Sequence, residues 1–366
     1  MPQARLEDSN IALLSSDLAL EVRKASAEAE PAFDGAGEKE GVEIWRVEKL
    51  KIVRWPREQY GSFFDGDAYI VLHSYKKKGG DKMLYNVHFW IGVGASQDEA
   101  AVAAYKTVEL DDRLGQLPVQ FRQVQDHETD EFLDLFQPSM MVMSGGVESG
   151  FTKVEPTAYK PRLLHVKGQR KAMRVRQVPL TRDSINDGDV YVLDAGLSLY
   201  QWNGTAAGVF EKRKGNEVAT AIRADRQGRP RFQVLDGQES CPEFWDLLGG
   251  MGPVKAADEG GADSEVLTSP KRMLRLSDAS GTLTMTVVSS GKISKSDLDT
   301  ADTFLVDNGG VSLFVWIGNG ASRDERAKAF QYANQYIVDN NLPLTIPVSR
   351  VTEGNTSAAF EKAFEE

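Results

Sequence analysis

An aspartate and a glutamate recur together three times in this 366-residue chain, and paired carboxylates can bind a metal ion. The pairs, which define repeats one, two and three, are Asp67 with Glu99, Asp189 with Glu211, and Asp302 with Glu325. In each repeat the glutamate falls nine residues after a tryptophan, and a glycine falls two residues after that tryptophan. Carboxylates with neighbouring backbone carbonyls suit Ca²⁺, which takes about 6–8 oxygen ligands. No histidine stands in the repeated pattern, which argues against zinc.

The elements that must position these carboxylates follow the same order in each repeat. The distance from aspartate to tryptophan is 23, 13 and 14 residues, so only a loop changes length. Short apolar runs at 68–72, 190–193 and 303–306 predict strands buried on both faces, and the tryptophan segments predict the next strands. Helices are predicted over 97–110, 209–223 and 323–338. Aspartate and glutamate would then meet at one edge of a sheet that is backed by helices.

Structural roles also account for parts of this pattern. An aspartate before a strand often only closes a turn. Ser96 with Glu99, and Ser322 with Glu325, have the spacing of a capping box at a helix start. Repeat two has Gly208 at the serine position and retains its glutamate. We therefore interpret the repeated glutamates as having a role besides capping.

Repeat spacing and composition set the domain organisation. The aspartates are 122 and then 113 residues apart, which indicates duplication of a whole domain. We predict an N-terminal extension at 1–40, domains at 41–155, 156–255 and 271–366, and an acidic linker at 256–270.

Composition excludes several classes of function. The formal charge of −11 disfavours a general nucleic-acid binder. Cys241 is the only cysteine, so no internal disulfide can form, which fits a reducing compartment. No apolar run is long enough for a transmembrane helix, and the first residues lack the pattern of a secretory signal. No glycine loop or histidine stands in a catalytic motif, so we predict no enzyme.

One stretch is unlike the rest of this acidic chain. Residues 160–176 hold seven Lys or Arg and no acid. This is either ordinary surface charge on a strand and turn, or a surface that attracts anionic partners such as phosphoinositide head groups.

The combined motifs at 63–72, 88–92 and 96–99 resemble the first domain of the gelsolin family, and 104–112 is similar to its severin and fragmin type. The resemblance extends over about residues 41–366. It implies an α/β (α+β) fold of three tandem gelsolin-like domains, each a central mixed sheet packed between a long and a short helix.

The resemblance also implies calcium sites, one inside each repeat and one shared with actin. Site one would use Asp67 and Glu99 with the carbonyls of Gly66 and Val147. Site two would use the Gly188 carbonyl, Asp189, Glu211 and Asp263 from the linker. Site three would use the Ala301 carbonyl, Asp302 and Glu325, with its last ligand undetermined. The shared site would use Asp111, the carbonyls near Gln116 and Pro118, and a carboxylate of actin.

The function implied is a Ca²⁺-dependent protein that severs actin filaments, caps barbed ends and binds actin monomers. Tyr105, Val108 and Phe151 would contact actin. The basic residues that would contact phosphoinositides weakly are Lys160, Arg162, Lys167, Arg170, Lys171 and Arg174. A monomer in the cytoplasm and cytoskeleton is expected. The alternatives are a capping and monomer-binding protein without severing, and a Ca²⁺-dependent sensor that binds phosphoinositide membranes.

Overall fold

The computed structural model describes residues 30–48, 51–77, 79–146, 161–169, 172–237, 241–260, 269–343 and 345–364. The chain divides into two compact units. Unit one consists of Met1–Arg57, Gly66–Glu131 and Val266–Glu366, and unit two of Glu58–Asp65 and Phe132–Glu265.

The strands and helices follow the order predicted from the repeats. The strands are β1 (Gly41–Glu48), β2 (Lys51–Arg54), β3 (Ser62–Phe64), β4 (Ala68–Lys76), β5 (Met83–Ile91), β6 (Val119–Val124), β7 (Met141–Met143), β8 (Arg162–Gln169), β9 (Ala172–Val178), β10 (Val190–Asp194), β11 (Ser198–Asn203), β12 (Arg231–Asp236), β13 (Arg272–Ser277), β14 (Thr284–Ser290), β15 (Thr303–Asp307), β16 (Leu313–Ile317) and β17 (Val348–Thr352). The helices are α1 (Gln97–Arg113), α2 (Asp130–Leu133), α3 (Val209–Asp225), α4 (Pro242–Leu247), α5 (Arg323–Asp339) and α6 (Ala358–Ala363).

Each repeat builds the same five-stranded pattern. Unit one contains a ten-stranded sheet in the order β14-β13-β15-β16-β17-β6-β5-β4-β1-β2, which joins repeats three and one. Unit two contains a seven-stranded sheet in the order β12-β11-β10-β8-β9-β7-β3. Within the five strands of each repeat, the last strand is parallel to the one before it and the others pair antiparallel. The added strand β7 is parallel to both β3 and β9. Parallel neighbours need a crossover connection, and α1, α3 and α5 supply it. The predicted mixed sheets are confirmed.

The central strands are buried as predicted, because helices cover their faces. In repeat two, α3 packs on one face through Val218 and Ile222, and α4 on the other through Phe244 and Trp245. Repeat three repeats this arrangement with α5 and α6. The strand that follows each repeated aspartate therefore has little freedom to move, which fixes the aspartate beside it.

Residues 30–40, the described part of the predicted N-terminal extension, pack onto repeat one. Phe33 is fully buried with its ring edge against Trp45, whose indole N–H donates to the Ala32 carbonyl at 2.7 Å. Arg113 of α1 is ion-paired with Asp34 at 2.6 Å. This segment is therefore part of the core of repeat one.

Helix α1 continues three residues beyond its predicted end at 110. It stops where Gly115 adopts a positive φ of 72°, a conformation that glycine adopts without steric cost and that commonly ends helices. The extra turn places Asp111 inside the helix, where its carboxylate is buried.

Candidate functional site

Each repeated aspartate lies buried just before its central strand, next to a basic side chain of the neighbouring strand. The pairs are Asp67 with Arg46, Asp189 with His165, and Asp302 with Arg275, with hydrogen-bond distances of 2.8, 2.8 and 2.7 Å. The basic residue always stands opposite the second residue after the aspartate in the antiparallel pairing. A buried carboxylate is costly without such a partner. A metal ion that enters here must therefore displace or share the basic group.

The repeated glycine after the tryptophan fixes the turn next to each aspartate. The N–H groups of Gly92, Gly204 and Gly318 donate to the carbonyls of Asp67, Asp189 and Asp302 at 3.0, 3.0 and 3.1 Å. A Cβ on Gly318 would stand 2.2 Å from the Thr300 carbonyl oxygen, and a Cβ on Gly204 would stand 2.4 Å from that of Asp187. The backbone approaches so closely that no side chain fits.

Gly318→Ala is expected to lower the free energy of unfolding of unit one by about 1–3 kcal/mol, because the methyl group forces the turn away from Asp302. Urea denaturation of the full chain measures this loss. Gly80→Ala is the control, since its Cβ would meet only an ordinary 3.5 Å contact. An equal loss in both variants would contradict the assigned role of the close approach.

In repeat two the aspartate and glutamate share neighbours. Lys167 is 3.7 Å from Asp189, and the N–H of the next residue, Gly168, donates to Glu211 at 3.2 Å. The negative charges of Asp189 and Glu211 both contribute to raising the pKa of Tyr191, although burial is the largest cause. Asp189 and Glu211 therefore have neighbouring contacts, and the joint binding of an ion by their two carboxylates stays a prediction.

The expectation that no histidine accompanies the carboxylates is wrong for repeat two. The ring of His165 is hydrogen-bonded to Asp189 and stacks on Tyr191 with centroids 4.7 Å apart. Burial lowers the pKa of His165, against the opposing effect of Asp189. Burial alone would raise the pKa of Asp189, but hydrogen bonds from His165 and Asn186 lower it. The strand register causes this contact, and the sequence pattern within one repeat does not show it.

Glu211 also caps its helix, contrary to our interpretation of the missing serine. The N–H of Gly208 donates to Glu211 at 2.8 Å, and this bond needs no side chain at position 208. Capping therefore remains a sufficient reason for a glutamate here.

In repeat three Glu325 lies among acidic groups. The backbone N–H of Asp278 donates to Glu325 Oε1 at 3.1 Å. Burial raises the pKa of Glu325, and the charges of Asp302 and Asp278 raise it further. Its Oε2 atom is buried and has no hydrogen-bond partner among the described residues. Asp302 and Glu325 are thus close enough for their charges to interact.

In repeat one the two carboxylates are held by different partners. Asp67 accepts from Arg46 and from the Tyr69 hydroxyl at 3.3 Å. Glu99 forms the predicted capping box, in which Ser96 N–H donates to the carboxylate at 3.0 Å and Glu99 N–H donates to the serine oxygen at 3.2 Å. Glu99 would have to turn from Ser96 to join Asp67 around one ion.

Asp111, the predicted ligand of the shared site, is contacted by repeat three within unit one. Its Oδ2 accepts from Gln120 at 2.7 Å and lies 3.3 Å from Arg350. Oδ1 is buried without a partner among the described residues. Burial raises the pKa of Asp111 to about 6. Asn355 donates to the Gln116 carbonyl at 3.4 Å, so two groups of the predicted shared site face repeat three.

The repeated carboxylates are ligands that suit a hard cation, but in this structure they do not lie close enough together to form a ready site. Within the described ranges, no three His, Cys, Asp or Glu side chains lie together as a ready metal site. The basic partners of the aspartates stand in the way. One carboxylate oxygen each of Glu325 and Asp111 has no hydrogen-bond partner among the described residues, which is costly for a buried polar atom. Both are oxygen donors of the kind that Ca²⁺ accepts.

Helix α1 packs one side against the core of repeat one. Ala100, Ala103, Ala104 and Leu110 are buried in the core of repeat one. Tyr105 and Val108 are half-buried and do not belong to this core cluster. An apolar surface therefore remains on α1 for another contact.

The described basic residues of 160–176 already have partners. Arg162 is ion-paired with Asp194 at 3.1 Å, and Lys167 donates to the Gly260 carbonyl at 2.5 Å. Arg174 is half-buried. Several predicted site residues lie outside the described ranges, namely Val147, Phe151, Lys160, Arg170, Lys171 and Asp263.

Three segments of the chain match one known protein family. The gelsolin repeat matches residues 51–133, 171–245 and 284–361, which together cover more than half of the chain.

The chain belongs to the gelsolin family.

Relatives in this family match nearly end to end. Gelsolin-like protein 2 of Lumbricus terrestris is 42% identical over 359 residues, covering 98% of this chain and 96% of that protein. Severin of Echinococcus granulosus is 34% identical and covers 98% of this chain and 97% of its own length. The actin depolymerising venom protein gelsolin 1 of Platymeris rhadamanthus is 36% identical over 91% of both chains. The chain thus fits the three-domain, severin type of the family.

The sequence did not predict the basic residues that contact the three repeated aspartates of this gelsolin-family chain. Arg46, His165 and Arg275 stand 21, 24 and 27 residues before their aspartates, so an alignment on the aspartates does not bring them to one position. Only the strand register does. No helix in the described part of the chain is long and apolar enough to cross a membrane.

Proposed function

We propose that this protein binds actin, severs its filaments and caps their barbed ends under the control of calcium. Family membership and the relative named as actin depolymerising support the actin partner. They also support a binding protein rather than an enzyme. We propose that it acts as a monomer in the cytoplasm, on the cytoskeleton. The observation that carries the proposal is Asp111, a buried carboxylate at the end of α1 with one oxygen free of hydrogen bonds from the described residues.

The actin contact would be made by α1. Tyr105 and Val108 offer an apolar surface, and Asp111 lies on the same helix, one to two turns further on. A calcium ion held by Asp111 and the nearby carbonyls could be completed by a carboxylate of actin. Apolar contact and a shared ion would then act side by side.

Repeat three would restrain this surface in the absence of calcium. Arg350 and Asn355 contact Asp111 and Gln116, the groups that would hold the shared ion. Arg350 supplies positive charge where the divalent ion would supply it. The open state must therefore bind calcium or actin more tightly than the closed state, since only differential affinity shifts such an equilibrium.

Phosphoinositide binding would be weak, because the described basic residues already contact other groups of the chain. Arg162 and Lys167 are engaged by Asp194, Asp189 and the Gly260 carbonyl. A membrane would have to compete with these contacts. Calcium-dependent pelleting with phosphoinositide vesicles, without any effect on filaments, would instead favour the sensor alternative.

Fluorescence microscopy of labelled actin filaments tests the function. With micromolar calcium we expect filaments to fragment and their barbed ends to stop growing, and with a chelator we expect neither effect. If barbed-end growth stops while the filaments stay intact, the protein caps filaments but does not sever them. Unchanged filaments would overturn the proposal.

Asp189→Asn should raise the calcium concentration for half-maximal severing by about tenfold, because one charged ligand of site two is lost. The same microscopy assay measures this across a calcium series. Asp225→Asn, an exposed acid at the end of α3, is the matched control and should respond as the parent protein does. An unchanged calcium response of Asp189→Asn would show that site two is misassigned.

A further inference from the structure

We propose that the outer edge of β14 in repeat three binds an extended, uncharged apolar segment of another protein, which adds to the sheet as a further strand. β14 is the end strand of the ten-stranded sheet, and no described residue pairs with its outer edge. An end strand presents N–H and C=O groups that can form hydrogen bonds with a strand of another chain. This surface includes neither the repeated carboxylates nor α1, so it goes beyond the proposed function.

β14 lacks the features that usually protect the edge of a sheet. Its seven residues include no charged residue and no proline. Val287 and Val288 are 63% and 43% exposed. By contrast β2, the strand at the other end of the same sheet, has only four residues, and its charged residues Lys51 and Arg54 are exposed. Short strands and edge lysines discourage pairing with another chain, so β2 is protected and β14 is not.

The corresponding edge of repeat two is covered, and the strand that covers it shows what kind of segment fits. β9 and β14 both pair antiparallel with the first strand of their repeat, β8 and β13. β7 lies parallel along the outer edge of β9, with Met141 opposite Val175 and Val142 opposite Arg176. β7 has the sequence Met-Val-Met and carries no charge. The occupant of β14 is therefore an uncharged apolar strand of the same kind, added in the parallel direction.

The strand registers identify the side chains of β14 that would contact the added strand. Val175 of β9 and Met285 of β14 occupy the same place, each opposite the residue that follows the basic partner of its repeat. Val175 is 1% exposed and belongs to the same hydrophobic cluster as Met143 of β7. Met285 is only half-buried, and Val287, the next residue on its face of the sheet, is exposed. An added strand would cover Met285 and Val287 as β7 covers Val175.

A bulge in β14 is the competing, protective feature, because bulges disrupt pairing at sheet edges. The pairing of β14 with β13 shifts between Met273 and Leu274, which leaves Val288 as the extra residue. Residues 284–287 precede this bulge and pair regularly with β13. β7 and β9 pair at only two positions, so the four regular residues of β14 give enough length for a comparable strand.

A fluorescent peptide with the sequence of residues 139–145, which includes β7, is the probe for this edge. Fluorescence anisotropy with the full chain measures its binding, and hydrogen exchange locates it. We expect the parent protein to bind the peptide, and the bound peptide to slow amide exchange at residues 284–287. A peptide with proline in place of both Met141 and Val142 should bind about tenfold more weakly or worse. Successive N–H groups of a strand point to opposite sides, so one of the two lost donors would face β14.

Val287→Lys should weaken binding of the peptide by about tenfold or more, because it places a charge on the edge where the added strand packs. Its melting temperature should stay that of the parent, since Val287 is largely exposed. Val311→Lys is the matched control. Val311 is a valine of the same repeat that is 56% exposed and lies in the turn between β15 and β16, so this variant should bind the peptide as the parent does.

Several results would overturn the proposal. Equal affinity of the parent and Val287→Lys would place the peptide elsewhere, and equal binding of the proline peptide would show apolar adhesion without strand pairing. A parent protein that does not bind the peptide would show that the edge accepts no such strand. Slow exchange at residues 284–287 in the free chain would then identify another part of this chain as the occupant, and dimerisation that Val287→Lys abolishes would identify a second copy.

Discussion

Arg46→Met is expected to lower the free energy of unfolding of unit one by about 3–5 kcal/mol in the absence of calcium. Asp67 is completely buried, and Arg46 donates to it from Nε at 2.8 Å. Methionine keeps much of the packing of the arginine stem but leaves the carboxylate without its cation. The loss is large because a buried charge without a counter-ion is far more costly than a missing surface pair.

Calcium should restore most of this loss, because the ion supplies positive charge at the same carboxylate. Urea denaturation with a chelator and with calcium measures both values. Arg54→Met is the matched control, since Arg54 is 46% exposed and its ion pair with Glu43 contributes at most about 1 kcal/mol. A loss for Arg46→Met that is equal with and without calcium would contradict a metal site at Asp67.

Asp111→Asn should have the opposite effect on stability, with a gain of up to about 3 kcal/mol at neutral pH. Burial raises the pKa of Asp111 from 3.8 to about 6, so its ionised form is less favourable in the folded chain than in the unfolded one. Each pKa unit corresponds to about 1.4 kcal/mol. Asparagine can still accept from Gln120, whereas Arg350 loses a charged partner, so the gain will be smaller than this upper bound.

The same variant should lose most of its capping and severing, because the shared ion loses its charged ligand on α1. Calcium-free urea denaturation and the filament assay give the two readouts. Asp81→Asn, an exposed acid in the loop before β5, should change neither. An Asp111→Asn protein that is less stable than the parent would show that the pair with Arg350 outweighs the cost of burial.

The sequence predicted the elements of each repeat because their signals are local. The apolar runs after Asp67, Asp189 and Asp302 are buried strands, and the long helices begin at the predicted residues. Contacts between strands were not predictable in the same way. The partners Arg46, His165 and Arg275 are set by register, which periodicity within one strand does not reveal.

The sequence also did not predict which side of α1 faces the core. Its apolar residues are spread over two faces, so hydrophobic spacing alone could not show that Ala100, Ala103 and Leu110 face the sheet. Nor does any pattern show that β17 pairs with β6, through Ser349 with Phe121 and Arg350 with Gln120. That short pairing brings Arg350 next to Asp111, so it places a positive charge at the predicted shared site.

The position of β7 has a practical consequence for dissecting this protein into fragments. Although its residues precede the predicted boundary at 155, β7 pairs with β9 through Met141 with Val175 and Val142 with Arg176. A fragment that begins at 156 would expose the outer edge of β9, and unpaired strand edges promote aggregation. Soluble expression of the middle repeat should therefore require the chain from about residue 132 onward, where unit two resumes.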